Sequence, residues 1–317
     1  MAGERAGPCR DTCRRSIRSS IRRRTKPKDP CLPTYKFECP SSFYFGQRSL
    51  VKLRYPSIPA TSRTSLTVNQ PNIHTESNLL YTMASTTKPK VLVILTSVDT
   101  IPKSGKTIGW YLPELAHPWE VLRNRAELTY ASPKGGVAPL DPISVDLFSS
   151  DPVCKDFLDN HKAIWENTQK LSTFAGRASE FDAVFYPGGH GPMFDLAFDE
   201  DSIALIKDFD AQGKVISAVC HGPAAFVNAK DAAGEPLLKG KTVTAFTNEG
   251  EDMFKYTEEM NFSLEDKLNE VSGGKFVKSE EGPMGEKVVV DGRIITGQNP
   301  ASSKGVGEEI AKALGVF

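Results

Sequence analysis

The 317-residue chain contains no run of 18 uncharged apolar residues, so it offers no helix able to cross a bilayer and no membrane partner is expected. Cysteine is scarce: there are six, and only Cys154 and Cys220 lie beyond residue 82. Two distant cysteines build no disulfide framework, which favours a reducing, intracellular compartment. Repeats of 20–50 residues are absent as well, which excludes a solenoid. Net charge is missing too, with 39 Lys+Arg against 39 Asp+Glu.

That neutrality is a sum of opposite parts. Residues 1–82 carry 15 Lys+Arg and 5 Asp+Glu, a net of +10, and residues 83–317 carry 24 and 34, a net of −10. A basic appendage joined to a mildly acidic body of about 230 residues argues against a nucleic-acid-binding body. The domain division expected is therefore 1–82 and 83–317.

The appendage shows no sustained helical or strand period, and eight prolines punctuate it, so it is expected to be a disordered basic extension. Its Arg14–Arg24 stretch is Arg- and Ser-rich, the composition of a transit peptide, but lacks the apolar core of a secretory signal. Met83-Ala84-Ser85, just ahead of the first strong strand, reads as an internal start, with a mitochondrial transit peptide as the alternative. Cys9-x3-Cys13 and Cys31-x7-Cys39 lack the second ligand pair that a structural zinc site needs.

The body alternates strands with helices. Val91–Leu95, Asp182–Tyr186 and Lys214–Val219 are continuous apolar runs of strand length, the pattern of strands covered on both faces. Leu128–Ala131 and Val243–Phe246 add further strands, and Val288–Val290 and Ile294–Thr296 form a hairpin across Asp291-Gly292. Helices are expected over Glu114–Arg125, Ser202–Gln212 and Gly307–Leu314. The fold class is α/β, a doubly wound sandwich with an antiparallel addition near the end, whose sites sit at the carboxyl ends of strands.

At one such end stands Ala218-Val219-Cys220-His221-Gly222-Pro223. A buried strand runs directly into a helix start at Pro223, with a thiol at the apex and glycine two residues on, the shape of a nucleophile elbow. A helix N-terminus after Cys220 should favour the thiolate, and His221 is a ready proton-transfer partner. A small buried cysteine at a strand end and an ordinary turn histidine would need neither the neighbouring His nor the Gly-Pro start. A second strand ends in Tyr186-Pro187-Gly188-Gly189-His190-Gly191, where consecutive glycines let backbone N–H groups approach a ligand as oxyanion donors. No Gly-Lys-Ser/Thr follows this turn, so it is not a phosphate loop.

Two carboxylates stand nearby in the pattern. Glu114 lies in the first turn of its helix, and Pro118 lacks the N–H that its carbonyl would meet, so that helix should distort there. Spacing alone makes Glu114 a dipole-complementing charge. Glu251, after a later strand in a run with Glu249, is either a solvated loop acid or the group that orients His221.

Val91–Ser97, Glu114-Leu115-Ala116-His117-Pro118, Gly189-His190-Gly191, Ala218–Ala224, Phe246–Glu251 and Thr296–Ser302, in this order, resemble the ThiJ/PfpI superfamily, and within it the fungal heat-shock chaperone-like, glutathione-independent glyoxalases, also called glyoxalase III or D-lactate dehydratase. The resemblance covers the body and leaves residues 1–82 outside. It implies a flavodoxin-like sandwich of the class I glutamine amidotransferase type, commonly a homodimer. It implies a Cys220-His221-Glu251 triad, with Glu249 the alternative acid, and Glu114 bonded to the thiol. Gly188, Gly189 and the His221 amide become the oxyanion donors. The implied reaction turns methylglyoxal into D-lactate, a lyase-type detoxification in the cytoplasm, with the nucleus as a further compartment, needing neither metal nor other cofactor. Alternatives of other classes are a stress-induced holdase chaperone, a protein or nucleotide deglycase, and a cysteine amidase or peptidase.

Overall fold

A computed structural model describes residues 87–317; the basic segment, its four cysteines, Met83 and the 82/83 division lie outside the described residues. The elements in chain order begin with β1 (Lys90–Ile94), α1 (Leu112–Leu122), β2 (Glu127–Ser132), α2 (Pro142–Phe148), α3 (Pro152–Asn160), α4 (Ala163–Glu166) and β3 (Gln169–Lys170). They continue with β4 (Ala183–Tyr186), α5 (Glu200–Ala211), β5 (Val215–Val219), α6 (Asn248–Phe254), α7 (Leu264–Ser272), β6 (Val288–Asp291), β7 (Ile294–Gly297) and α8 (Ser303–Ala313).

One seven-stranded sheet runs in the order β3-β2-β1-β4-β5-β7-β6. All pairs are parallel except β6–β7, the expected hairpin, in which Asp291 pairs with Ile294. Strand side chains alternate between two cores, as a period of two requires. Val91 and Val93 of β1 and Leu95 just after it join Leu115, Trp119, Phe157 and Ile310 on one face. Leu92 and Ile94 join Val184, Ile216, Leu205 and Phe209 on the other. Each such fully buried aliphatic or aromatic side chain contributes about 1.5–3 kcal/mol, and Ser217, a polar side chain inside β5, donates its hydroxyl to the Val184 carbonyl.

The chain moves outward from β1 to β2 and β3, then returns to place β4 on the other side of β1. That reversal opens a crevice beyond the carboxyl ends of the central strands. The segments leaving β1, β4 and β5 converge there.

Two local expectations are corrected. Val243–Phe246 is no strand of the sheet: Val243 makes an isolated bridge with Phe276, and the amide of Thr244 donates to the Thr296 side chain. The place beside β5 belongs to β7, so this apolar run packs beyond the sheet instead. The segment after Cys220 is a five-residue 3-10 turn, Gly222–Phe226, and not an α-helix. Helix α1 continues through Pro118.

The elbow has a fixed shape. Cys220 has φ +60°, the left-handed region that costs a non-glycine residue strain. A Cβ at Gly222 would lie 2.1 Å from the Tyr186 carbonyl oxygen, so β4 passes too close for any side chain. Gly222→Ala should therefore lose about 1–3 kcal/mol or more of stability, because backbone on both sides must shift. Urea unfolding measures it, and a loss within about 0.5 kcal/mol would contradict the packing described.

Candidate active site

Four segments bring the sequence-expected residues together. Cys220 follows β5 and His221 is adjacent, with Sγ 3.3 Å from Nδ1. The other ring nitrogen, Nε2, hydrogen-bonds Glu251 Oε1. Glu251 sits in α6, capped by Thr247, whose side chain accepts the Gly250 amide at 3.1 Å. The acidic stretch is thus a short helix with Glu251 turned inward, while Glu249 is exposed.

Glu114 occupies the first turn of α1 and is fully buried. Its Oε2 accepts the Gly188 amide at 2.9 Å, its Oε1 has no hydrogen-bond partner among the described residues, and the carboxyl lies beside the Cys220 thiol. Gly188 is therefore committed to Glu114 and is not a free oxyanion donor. The Gly189 amide faces the thiol and the carboxyl, and the His221 amide makes no backbone hydrogen bond among the described residues. A Cβ at Gly188 would lie 2.6 Å from both Glu114 Oε2 and the His221 nitrogen, which is why the loop carries glycine there.

The electrostatics divide the two carboxylates. Burial pushes Glu114 up to about 8, against the downward pull of the thiol and of the Gly188 and Gly189 amides. It therefore holds a proton at neutral pH and donates rather than repels. Burial also pushes Glu251 upward, but the facing His221 and the hydrogen bonds from His190 and His221 outweigh it and hold the carboxyl well below its ordinary range. One acid is neutral and the other ionised, 7% or less exposed in each case.

The thiol departs from expectation. Burial, then the charge and hydrogen bond of Glu114, push Cys220 well above a free thiol. The short 3-10 turn supplies little dipole to offset this, so no low-pKa cysteine stands alone here. Thiol and carboxyl act as a coupled pair: with the proton on Glu114, the repulsion that opposes the thiolate disappears and the same carboxyl can bond it.

This pair has a pH consequence. Glu114 has an ordinary value of 4.5 and a folded value of about 8, so the folded chain binds more protons between them. Its burial favours folding below 4.5, and stability falls as pH rises toward 8. Glu114→Gln should flatten that decline in urea midpoints measured from pH 5 to 9, and an unchanged slope would refute the shared-proton arrangement.

Sequence reasoning assigned no role to His190, although its glycine-flanked place at a strand end was a signal. It is buried near His221 with ring centroids 4.4 Å apart, and its Nε2 lies 3.4 Å from Glu251 Oε2. Tyr256 stacks on it at 4.3 Å and 20°, after α6 ends at Lys255 in the left-handed region and turns the chain back. Burial lowers the His190 pKa, assisted by His221, so the ring is neutral. His190, His221 and Glu251 place ligand atoms within 4.8 Å of one another, but a metal there would displace the His221–Glu251 hydrogen bond.

The cavity above the thiol is about 80 Å³, walled by Tyr111, Ile143, Phe246, Phe254, Tyr256 and Met284. Ordinary ligand pockets hold about 300–1,000 Å³, so this one suits a compound of a few heavy atoms. A buried thiol bonded to an acid, a histidine fixed by a carboxylate, and free amides beside them are the parts of a covalent cysteine site on a flavodoxin-like sheet.

The chain belongs to the DJ-1/PfpI family, whose profile matches residues 113–313. Among its relatives is "Glyoxalase 3" of Candida albicans, 34% identical over 236 residues, covering 71% of this chain and 98% of that protein. The crystal structure of glyoxalase III from the same organism superimposes with a TM-score of 0.64, over 71% of this chain and 97% of that one. "Glutathione-independent glyoxalase HSP31" of Saccharomyces cerevisiae is 29% identical, covering 68% and 93%. The Rapid Encystment Protein 24 KDa of Francisella tularensis is 33% identical, with a TM-score of 0.62 over 71% and 99%.

Proposed function

We propose that this protein is a glutathione-independent glyoxalase that converts methylglyoxal to D-lactate through a covalent adduct on Cys220. The observation that carries the reading is the buried Glu114–Cys220–His221–Glu251 chain at the floor of a cavity too small for glutathione. Relatives named for that activity, which this chain covers almost end to end, support it.

The aldehyde carbon is attacked by Cys220 sulfur as His221 Nδ1, 3.3 Å away, takes the thiol proton and passes it to the aldehyde oxygen, Glu114 being already protonated. The oxygen charge that develops meets the Gly189 and His221 amides. His221, with Nε2–H donated to Glu251, presents the Nδ1 lone pair on the thiol side. It removes the proton from the hemithioacetal carbon and returns it to the neighbouring ketone carbon, giving a lactoyl thioester. Glu114 gives its proton to the ketone oxygen as the enediol forms and recovers one from the first oxygen as the thioester forms. Water then cleaves the thioester, so methylglyoxal plus water becomes lactate and the thiol is restored. Gly189, Glu114 and both triad partners are assigned these roles as part of the proposal, and Gly188 holds Glu114.

The same reading carries a cytoplasmic homodimer, which rests on the resemblance. Incubating the full chain with methylglyoxal and no glutathione should yield D-lactate stoichiometric with substrate consumed. Absence of D-lactate, or production only after glutathione is added, would overturn the proposal.

A further inference from the structure

Outside this site, three metal-ligating side chains converge where α1 packs on α3. His117 lies one turn beyond Glu114 on α1, Asp151 is the N-cap of α3, and Cys154 follows in its first turn. One donor atom from each lies within 4.8 Å of the others. Asp151 divides its carboxylate: Oδ1 accepts the Cys154 amide at 2.8 Å, while Oδ2 approaches His117 Nε2 to 3.4 Å. That approach lacks hydrogen-bond geometry, and the buried Nε2 has no hydrogen-bond partner among the described residues. The Cys154 thiol is fully buried beside the same carboxylate. Nitrogen, oxygen and sulfur donors face a common point, with the thiol against the Asp151 carboxylate and the His117 Nε2 left unpaired.

We propose that His117, Asp151 and Cys154 form a second, non-catalytic site for a zinc-class divalent cation, with water as the fourth ligand. One imidazole, one carboxylate and one thiolate suit borderline metals such as zinc, and disfavour magnesium and calcium, which take oxygen. Zinc bonds of about 2.0–2.3 Å place tetrahedral ligand atoms about 3.5 Å apart, so a small side-chain contraction closes the set. The His117 and Asp151 side chains are 24% and 29% exposed, so the cluster lies close to solvent. Charge balances: a dication meets one carboxylate and one thiolate, and binding releases the thiol proton to solvent. The Cys154 amide already holds Asp151 in place, as outer-shell hydrogen bonds hold metal ligands. Loaded, the site clamps α3 to the helix that carries Glu114.

Cobalt(II), which shows thiolate charge transfer, is the probe. The protein used is the full chain with Cys9, Cys13, Cys31 and Cys39 replaced by Ser and with Cys220→Ala, so that Cys154 is the remaining thiol. It should bind one cobalt with a near-ultraviolet charge-transfer band that zinc abolishes. Cys154→Ser should remove the band, and His117→Ala should weaken cobalt binding by about 10-fold or more. His190→Ala should leave both unchanged, which separates this site from the catalytic one. If Cys154→Ser does not fold, the partly exposed His117→Ala reads the same interaction by affinity. No band in the parent protein, a band that survives Cys154→Ser, or an affinity indifferent to His117→Ala would each overturn the assignment.

Discussion

Cys220→Ala should lower glutathione-free D-lactate formation by about 10⁴-fold or more, because it removes the atom that forms the adduct. The other described cysteine, Cys154, is buried in the core between α1 and α3 and lines no part of the cavity, so it offers no substitute. Alanine keeps a Cβ at the strained φ +60° position, so the variant should fold with nearly unchanged stability. The assay therefore compares two folded proteins that differ by one sulfur. A rate within tenfold of the wild type would mean that the chemistry bypasses the thiol, and general acid–base isomerisation by His221 alone would have to be considered.

Glu251→Gln should cost about 10³–10⁴ in kcat with little change in KM, by the logic of other acid-oriented histidines. The carboxylate does two things at once: it accepts from Nε2 and it balances the positive charge that His221 gains when it takes a proton. An amide accepts equally well but balances no charge, and by donating from its NH2 it can select the wrong tautomer. The neighbour His190, 3.4 Å from the other carboxylate oxygen, also loses its anion. Steady-state kinetics with methylglyoxal check this, and a rise in KM with kcat intact would instead make Glu251 a substrate-binding group. The depressed Glu251 pKa also carries a stability sign. Its contribution is present above the ordinary 4.5 and is lost as pH falls through the lower folded value, so the variant should be less stable near neutrality and closer to wild type in acid.

Strands β1, β4 and β5 were legible because they are buried on both faces and so read as largely apolar runs. The elbow was legible for a similar reason: thiol, histidine, glycine and proline stand consecutively, and each has a local geometric duty. What escaped was set by tertiary packing. Val243–Phe246 has strand composition, but β7 already occupies the sheet position beside β5. Strand β3 has two residues and no period to detect. Helices α3 and α7 had unread signals, Asp151-Pro152 at one start and Ser263 and Gly273 at the ends of the other. Glu251 looked like a loop acid because only its seven-residue helix turns it inward. The state of the thiol could not be read from a strand-to-helix motif, since it depends on Glu114, 106 positions earlier in the chain, and on how completely both are buried.

The narrow cavity has a consequence for chemical exposure. A thiol only 4% accessible, at the floor of a cavity of about 80 Å³, should be reached by reagents according to their size. Small electrophiles and peroxides should react there faster than tripeptide thiols and protein disulfides, which reagent-trapping rates measure. Mixed-disulfide repair is thereby closed to Cys220, and an oxidised sulfur at that depth must be reduced by a small molecule or wait for the fold to open.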